Sequence, residues 1–240
     1  MELMQLAPGP LVLAFGKSLL FVLAAILPIL NPAASAPVFL SMTEGAPAST
    51  RALLARRIAR NIFLLLTGSM LIGSYVLDFF GISLPIVRVG GGAIVIATAW
   101  QMLTASHDSL AGRSEPIAEA FTPEQVDRQA FYPMTFPLSC GPGSISAAIT
   151  VGVALHDPKL AVSAVRMGGA LLGLLLISTL SYLAYRYAHR LLAPLGEAGT
   201  LVFLRLMAFI LLCLGVQIVW DGVHELGVGL LRDGLAPIAG

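Results

Sequence analysis

The sequence predicts an all-α, polytopic membrane protein. It has six transmembrane helices in an inverted three-plus-three repeat, with the first and fourth helices discontinuous. Three observations carry this. Hydrophobic residues make up 57% of the 240-residue chain and charged residues 11%, where soluble domains run near 25% charged; mean hydropathy is +0.88. Six apolar segments follow one another, each near the ~20 residues that cross a bilayer as a helix. Two of the six are interrupted by prolines, at Pro28, Pro32 and Pro37 in the first and at Pro137 and Pro142 in the fourth. A proline removes one backbone donor and strands a carbonyl four residues earlier. In a bilayer such groups survive only where the break lines a cavity or packs against protein.

The first segment covers 11–30 and continues past its break to 40. Lys17, the apolar run behind it and Ala34-Ser35-Ala36 have the form of a signal peptide with an A-x-A site. The proline-rich break recurs in mid-chain, however, where no signal peptide sits. The break therefore reads as part of the fold and the segment as retained. The second segment is 58–77, the third 84–103, the fourth 131–155, the fifth 160–185 and the sixth 200–220. Residues 1–104 form the first repeat and 131–240 the second. Between them, 105–130 is a cytoplasmic linker holding Asp108, Glu115, Glu119, Glu124 and Asp127 against Arg113 and Arg128, a solvated charge run. Ser114-Glu115-Pro116 and Thr122-Pro123-Glu124 read as turn or helix-start signals. The tail after Trp220 is glycine-rich and without a strong pattern.

Orientation follows from the cations. Nine Lys and Arg fall on the side of the loops after segments one, three and five, dominated by Arg51, Arg56, Arg57 and Arg60, against five on the other side. The positive-inside rule places the nine in the cytoplasm and both termini outside. The halves also match in detail. Pro28 corresponds to Pro137 and Pro32 to Pro142 with one insertion, and Arg88 to Gln101 parallels Arg205 to Gln217. Three crossings is an odd number, so the second unit is inverted relative to the first, the arrangement of carriers that alternate access around a midplane site. Gly90-Gly91-Gly92 and Gly169-x-x-x-Gly173 allow close helix approach. They read as packing within the chain, with a subunit contact, and hence a homo-oligomer, as the alternative.

The chemistry excludes several classes. Net charge is +1, which gives no footprint for nucleic acid. His107, His156, His189 and His224 have no metal-ligand spacing. No base accompanies Ser139 or Ser144 as a nucleophile would require. The expectation is no enzyme, no metal and no cofactor, with Cys140 and Cys213 as packing thiols. Lys17, Asp78, Arg88, Arg205 and Asp221 lie near segment ends, where long side chains reach the interface. The lack of an intramembrane carboxylate or histidine disfavours a proton relay, leaving Na⁺ or H⁺ coupling open. At the midplane remain Asn31, Ser35, Ser139, Ser144, Ser146 and Thr150, with glycines and freed backbone groups. A helix starting after a break offers N–H groups to a carboxylate. The half-helix before it ends in carbonyls suited to an ammonium or Na⁺. Together they fit a small zwitterion such as an amino acid. Asn31 reads equally as a helix cap or a helix–helix hydrogen bond.

Four ordered motifs carry a resemblance over nearly the whole chain. Asn31-Pro32-Ala33-Ala34-Ser35-Ala36-Pro37-Val38-Phe39 resembles N-P-x-G-x-x-P-x-F, and Phe80-Gly81-Ile82-Ser83-Leu84-Pro85-Ile86-Val87-Arg88-Val89-Gly90-Gly91 resembles F-G-I-S-L-P-x-x-R-x-x-G-G. Pro137-Leu138-Ser139-Cys140-Gly141-Pro142-Gly143 is similar to P-L-x-A-G-P-G, and Arg205-Leu206-Met207 through Gln217 to Asp221-Gly222 to a last helix. These are patterns of the MarC family of bacterial inner-membrane proteins, grouped with small neutral amino acid transporters. The resemblance implies six helices, an inner-membrane location, and uptake or exchange of glycine- or alanine-like solutes. Ala34 stands for the usual glycine and Cys140 for alanine; the extra methyl at Ala34 bears on substrate size. On this reading Asn31, Ser35, Gly141, Gly143 and Ser144 line the substrate site. Pro28, Pro32, Pro37, Pro137 and Pro142 set the helix breaks, and the partners are the bilayer and a small neutral amino acid. The alternatives are a non-coupled channel or exporter of other small solutes, and a membrane scaffold whose breaks are packed without a cavity.

Overall fold

The computed structural model describes residues 8–43, 45–104 and 123–234; Glu44 and most of the expected linker, 105–122, lie outside the described residues. The described elements are all helical. They are α1 (Pro8–Leu30), α2 (Pro32–Met42), α3 (Ala48–Phe79), α4 (Leu84–Thr104), α5 (Pro123–Gln129), a wide-turned segment Ala130–Ser139, α6 (Pro142–Ala154), α7 (Leu160–Arg186), α8 (Ala188–Leu192), a tight turn Ala193–Leu195 and α9 (Gly196–Gly234). Five stretches are long and apolar enough to cross a membrane: Gly9–Leu40, Ala48–Phe79, Leu84–Thr104, Leu160–Arg186 and Ala198–Leu231. A sixth results when Val126–Ser139 and Pro142–Ala154, bent by 74°, count as one. Their outward faces carry exposed apolar side chains such as Leu20, Phe79, Trp100 and Trp220, as a lipid-facing surface requires.

Local chemistry explains the ends. The α3–α4 turn closes with Ile82 N–H donating to the Leu77 carbonyl at 2.9 Å and Gly81 N–H to that of Asp78 at 3.1 Å. Gly81 has φ +67°, the left-handed geometry a glycine takes just past a helix. Pro85 follows in the first turn of α4, where its missing N–H is no loss. At Thr122-Pro123-Glu124, the expected helix-start signal, α5 does begin on Pro123. The stretch after Trp220 is helical to Gly234, well past the expected end. Gly222 seats against the Pro85 carbonyl, and Glu225 pairs with Arg88, so this part of α9 is held by α4 despite its glycines.

Glycine sets how closely the helices approach. A Cβ on Gly169 would fall 2.4 Å from the Phe15 carbonyl oxygen of α1, and one on Gly173 3.0 Å from Val22. The Gly169-x-x-x-Gly173 stripe thus packs α7 on α1 within the chain. On α4, Gly92 faces the Gly215 carbonyl of α9 and Gly91 faces Ser146 of α6, whereas Gly90 has open surroundings. Gly152 of α6 sits on the Met70 backbone of α3, where a Cβ would be 2.1 Å from the carbonyl oxygen. The core between these helices is filled by Ile26, Phe39, Leu54, Ile58, Ile62, Leu66, Met134, Leu174 and Ile177.

Candidate functional site

The first interruption is one residue long. Asn31 has φ +43°, a conformation asparagine tolerates because its short polar side chain bonds locally. Its N–H donates to the Leu27 carbonyl at 2.9 Å and ends α1. Its own carbonyl accepts from the N–H groups of Ala34 and Ser35 at 3.1 and 3.2 Å and begins α2. Its Oδ1 accepts from Ala34 N–H at 3.3 Å, so the capping role is realised. Pro32 stands at the first position of α2. Pro28 and Pro37 lie inside α1 and α2, so the interruption falls between them at Asn31. The two helices still form one stretch, Gly9–Leu40.

The second interruption is longer. Tyr132 and Phe136 have extended backbones within Ala130–Ser139, each followed by a proline that supplies no donor. Thr135 and Ser139 donate their hydroxyls to the Ala130 and Met134 carbonyls, five residues back, at 2.5 and 2.6 Å. Cys140 and Gly141 then run extended, and α6 starts at Pro142 with no side chain capping its N-terminus. Gly143 and Ser144 occupy its first turn, where backbone N–H groups have no acceptor within the helix.

A cavity of about 420 Å³ lies between the two interruptions. Asn31, Ser35, Gly141, Gly143 and Ser144 all line it, with Pro137 and Pro142; Pro28, Pro32 and Pro37 do not. Its walls are apolar, from Ile29, Val38, Met42, Val95, Leu138 and Leu211, and no charged side chain among the described residues lines it. The polar groups divide by availability. Ser35 and Ser139 have bonded hydroxyls. Ser144 is 3% exposed, lines the cavity, and forms no side-chain hydrogen bond among the described residues. The Asn31 amide nitrogen is likewise free. Ser146 and Thr150, also expected at the midplane, stand outside the lining. Ser146 donates to the Val87 carbonyl at 3.1 Å, joining α6 to α4, and Thr150 Oγ1 is buried without a partner.

Three polar lining or supporting residues went unassigned from sequence. Gln101, a marker of the repeat, lines the cavity with Thr98, while its counterpart Gln217 bonds Asp221 at 2.8 Å on the exposed side of α9. Tyr185 lies behind the wall, fully buried and stacked on Phe39 with ring centroids 5.0 Å apart. Its hydroxyl reaches Ser35 Oγ at 2.9 Å and Ser139 Oγ at 2.7 Å, one from each interruption. A tyrosine inside an apolar segment is itself a signal, because a buried phenol needs a polar partner. Among the described residues no three His, Cys, Asp or Glu side chains are grouped to hold a metal ion.

The cavity's α4 lining, Ile94, Val95, Thr98, Gln101 and Met102, comes from the C-terminal half of that helix. At Val95 and towards the N-terminus of α4, α4 and α6 close on each other. Gly91 abuts Ser146, and a Cβ on Gly143 would lie 2.1 Å from Val95 Cγ2.

Comparison with known proteins fits this architecture. The family model described as MarC family integral membrane protein matches residues 16–226. UPF0056 membrane protein MJ1677 of Methanocaldococcus jannaschii is 31% identical over 208 residues, covering 85% of this chain and 96% of its own length. UPF0056 inner membrane protein MarC of Escherichia coli O1:K1 / APEC is 26% identical, covering 85% of this chain and 93% of its own. No solved structure matches the chain. A family match spanning most of the chain, over helices that expose apolar faces around a proline-interrupted cavity, makes this an integral membrane protein belonging to the MarC family.

Proposed function

We propose that the protein is an inner-membrane carrier of small neutral amino acids, glycine- or alanine-like, that works by alternating access. The observation carrying this reading is the uncharged cavity bounded by two helix interruptions. At one side the α6 N-terminus offers the free N–H groups of Gly143 and Ser144 and the unpartnered Ser144 hydroxyl to a carboxylate. At the other, α1 ends in carbonyls that have lost their helical donors. The Leu30 carbonyl, on a residue that lines the cavity, is one, because Ala34 N–H donates to the Asn31 carbonyl instead; such carbonyls suit an ammonium. The apolar walls suit a short aliphatic side chain.

Helix packing supports an inverted repeat. The α1–α2 stretch lies along α7 as the segment from Val126 to Ala154 lies along α3, while α4 lies along α9 and α3 along α7. Exchanging the two halves maps this pattern onto itself. The inner-membrane location draws on the name of the Escherichia coli relative. With Arg51–Arg60 in the cytoplasm, both termini are periplasmic and the cavity end of α4 faces inward. Coupling to Na⁺ fits the orphaned carbonyls better than coupling to H⁺, for which no carboxylate or histidine among the described residues lines the cavity. A scaffold would pack its interruptions against neighbouring helices, so the cavity counts against that alternative.

The test is uptake of radiolabelled glycine and alanine into proteoliposomes holding only this protein, with a Na⁺ gradient, a proton gradient or neither. Saturable uptake that counter-flow stimulates supports a carrier, and the driving gradient names its ion. No uptake by folded protein under any gradient overturns the substrate assignment, and non-saturable flux points to a channel.

A further inference from the structure

Tyr185 belongs to neither interruption yet touches both. Four short oxygen–oxygen gaps and a longer fifth meet in one buried group. Tyr185 Oη faces Ser35 Oγ at 2.9 Å and Ser139 Oγ at 2.7 Å; Ser35 Oγ faces the Asn31 carbonyl at 3.1 Å and that of Pro32 at 3.4 Å, and Ser139 Oγ faces the Met134 carbonyl at 2.6 Å. Three hydroxyls supply three hydrogens, and a carbonyl supplies none. At least one of the short gaps is therefore always without its hydrogen. If Tyr185 donates to Ser35, Ser35 donates to Asn31, and Ser139 must choose between Tyr185 and Met134. If Tyr185 donates to Ser139, the choice passes to Ser35. Rotating the hydroxyls moves the unmade bond from one half of the molecule to the other.

We propose that Tyr185 is a positioning residue that ties the two interruptions together behind the cavity wall, so that the hydrogen bonding of one sets that of the other. Burial makes the tie count, since an unmade hydrogen bond is costly where no water replaces it. The ring, stacked on Phe39, fixes where the hydroxyl can be. The inference stands on this geometry whatever solute enters the cavity.

Cys140 provides the test. It is fully buried beside Ser139, and Cys213 is the only other cysteine. In a full-length Cys213→Ser background, the rate of Cys140 modification by N-ethylmaleimide reports how often the second interruption opens. Tyr185→Phe keeps the ring on Phe39 and removes only the hydroxyl. It should speed labelling about tenfold or more, as loss of buried hydrogen bonds shifts an opening equilibrium by that order. Ser35→Ala changes the other interruption, over a hundred residues away in sequence, and should also speed labelling; Tyr185→Phe added to it should do little more. Labelling rates within about twofold of the parent for both variants would overturn the proposal, as would fully additive effects, because neighbours that act through one network are not additive. Should Tyr185→Phe fail to fold, Ser35→Ala alone decides. No substrate enters the experiment, so its failure is distinct from a failure of the transport reading.

Discussion

Gly143 offers the sharpest check on the packing beside the cavity. Replacing it with alanine puts a Cβ 2.1 Å from Val95 Cγ2, with the Gly91 carbonyl oxygen 3.5 Å away on the other side. Ordinary carbon–carbon contact begins near 3.5–4.0 Å, so about 1.5 Å must be found. Val95 is β-branched and held by its helix, which leaves the α6 N-terminus to move away from α4. Overpacking of this kind costs about 1–3 kcal/mol, or roughly 5- to 150-fold in an equilibrium. For a chain of this size that lowers Tm by roughly 3–10 °C. Val95→Ala alone leaves a gap costing about 1–2 kcal/mol. The double variant Gly143→Ala/Val95→Ala should recover at least about 1 kcal/mol of the summed losses, since residues in contact couple by 0.5–3 kcal/mol. Thermal unfolding of all four proteins in one detergent gives the cycle. An unshifted Tm for Gly143→Ala, or strict additivity in the double variant, would refute the contact and with it the close α4–α6 seal.

Other substitutions separate structural from solute-facing roles. Asn31→Gly keeps access to the left-handed backbone but loses the Oδ1 cap, a loss of a few tenths of a kcal/mol; Asn31→Ala adds a backbone penalty of about 1–2 kcal/mol. Asn31→Ala should therefore be the less stable on a melting curve. Both should weaken uptake, and unchanged uptake by well-inserted Asn31→Gly would take the Asn31 amide out of the site. Ser144→Ala removes a hydroxyl that no described protein group uses, so it should leave Tm within about 1 °C while raising the half-saturating substrate concentration about fivefold, the worth of one hydrogen bond near 1 kcal/mol. Gly152→Ala drives a Cβ to within 2.1 Å of the Met70 carbonyl oxygen, and poor recovery of folded protein after extraction is expected. Arg57→Ala breaks a half-exposed ion pair with Asp127, 3.0 Å long, and should change Tm negligibly, because exposed pairs contribute about 0–1 kcal/mol.

What the sequence made legible was local. Proline acts on its own few residues, so a proline-rich break in each half could be read without any knowledge of packing; the structure interrupts the helices at Asn31 and at Cys140–Gly141. The same reasoning could not say that Pro28 and Pro37 stay inside their helices. A proline's ring and missing donor are local, but whether the strain is absorbed by a bend depends on what the helix leans against. Tyr185 was invisible for a related cause. Its importance comes from Ser35, 150 positions earlier, and Ser139, 46 positions earlier, and only the approach of α7 to both interruptions brings the three together. The length of α9 was hidden likewise, since the stretch after Trp220 is glycine-rich and without a strong pattern until the α4 backbone is set beside Gly222.

The cavity's lack of charged lining has an electrical consequence. Moving one elementary charge through a membrane potential is worth about 2.3 kcal/mol per 100 mV. If the protein is the carrier proposed above, described walls without an ionised side chain carry no such load as the empty carrier reorients, and a zwitterion would add none. Current during transport would then report the coupling ions.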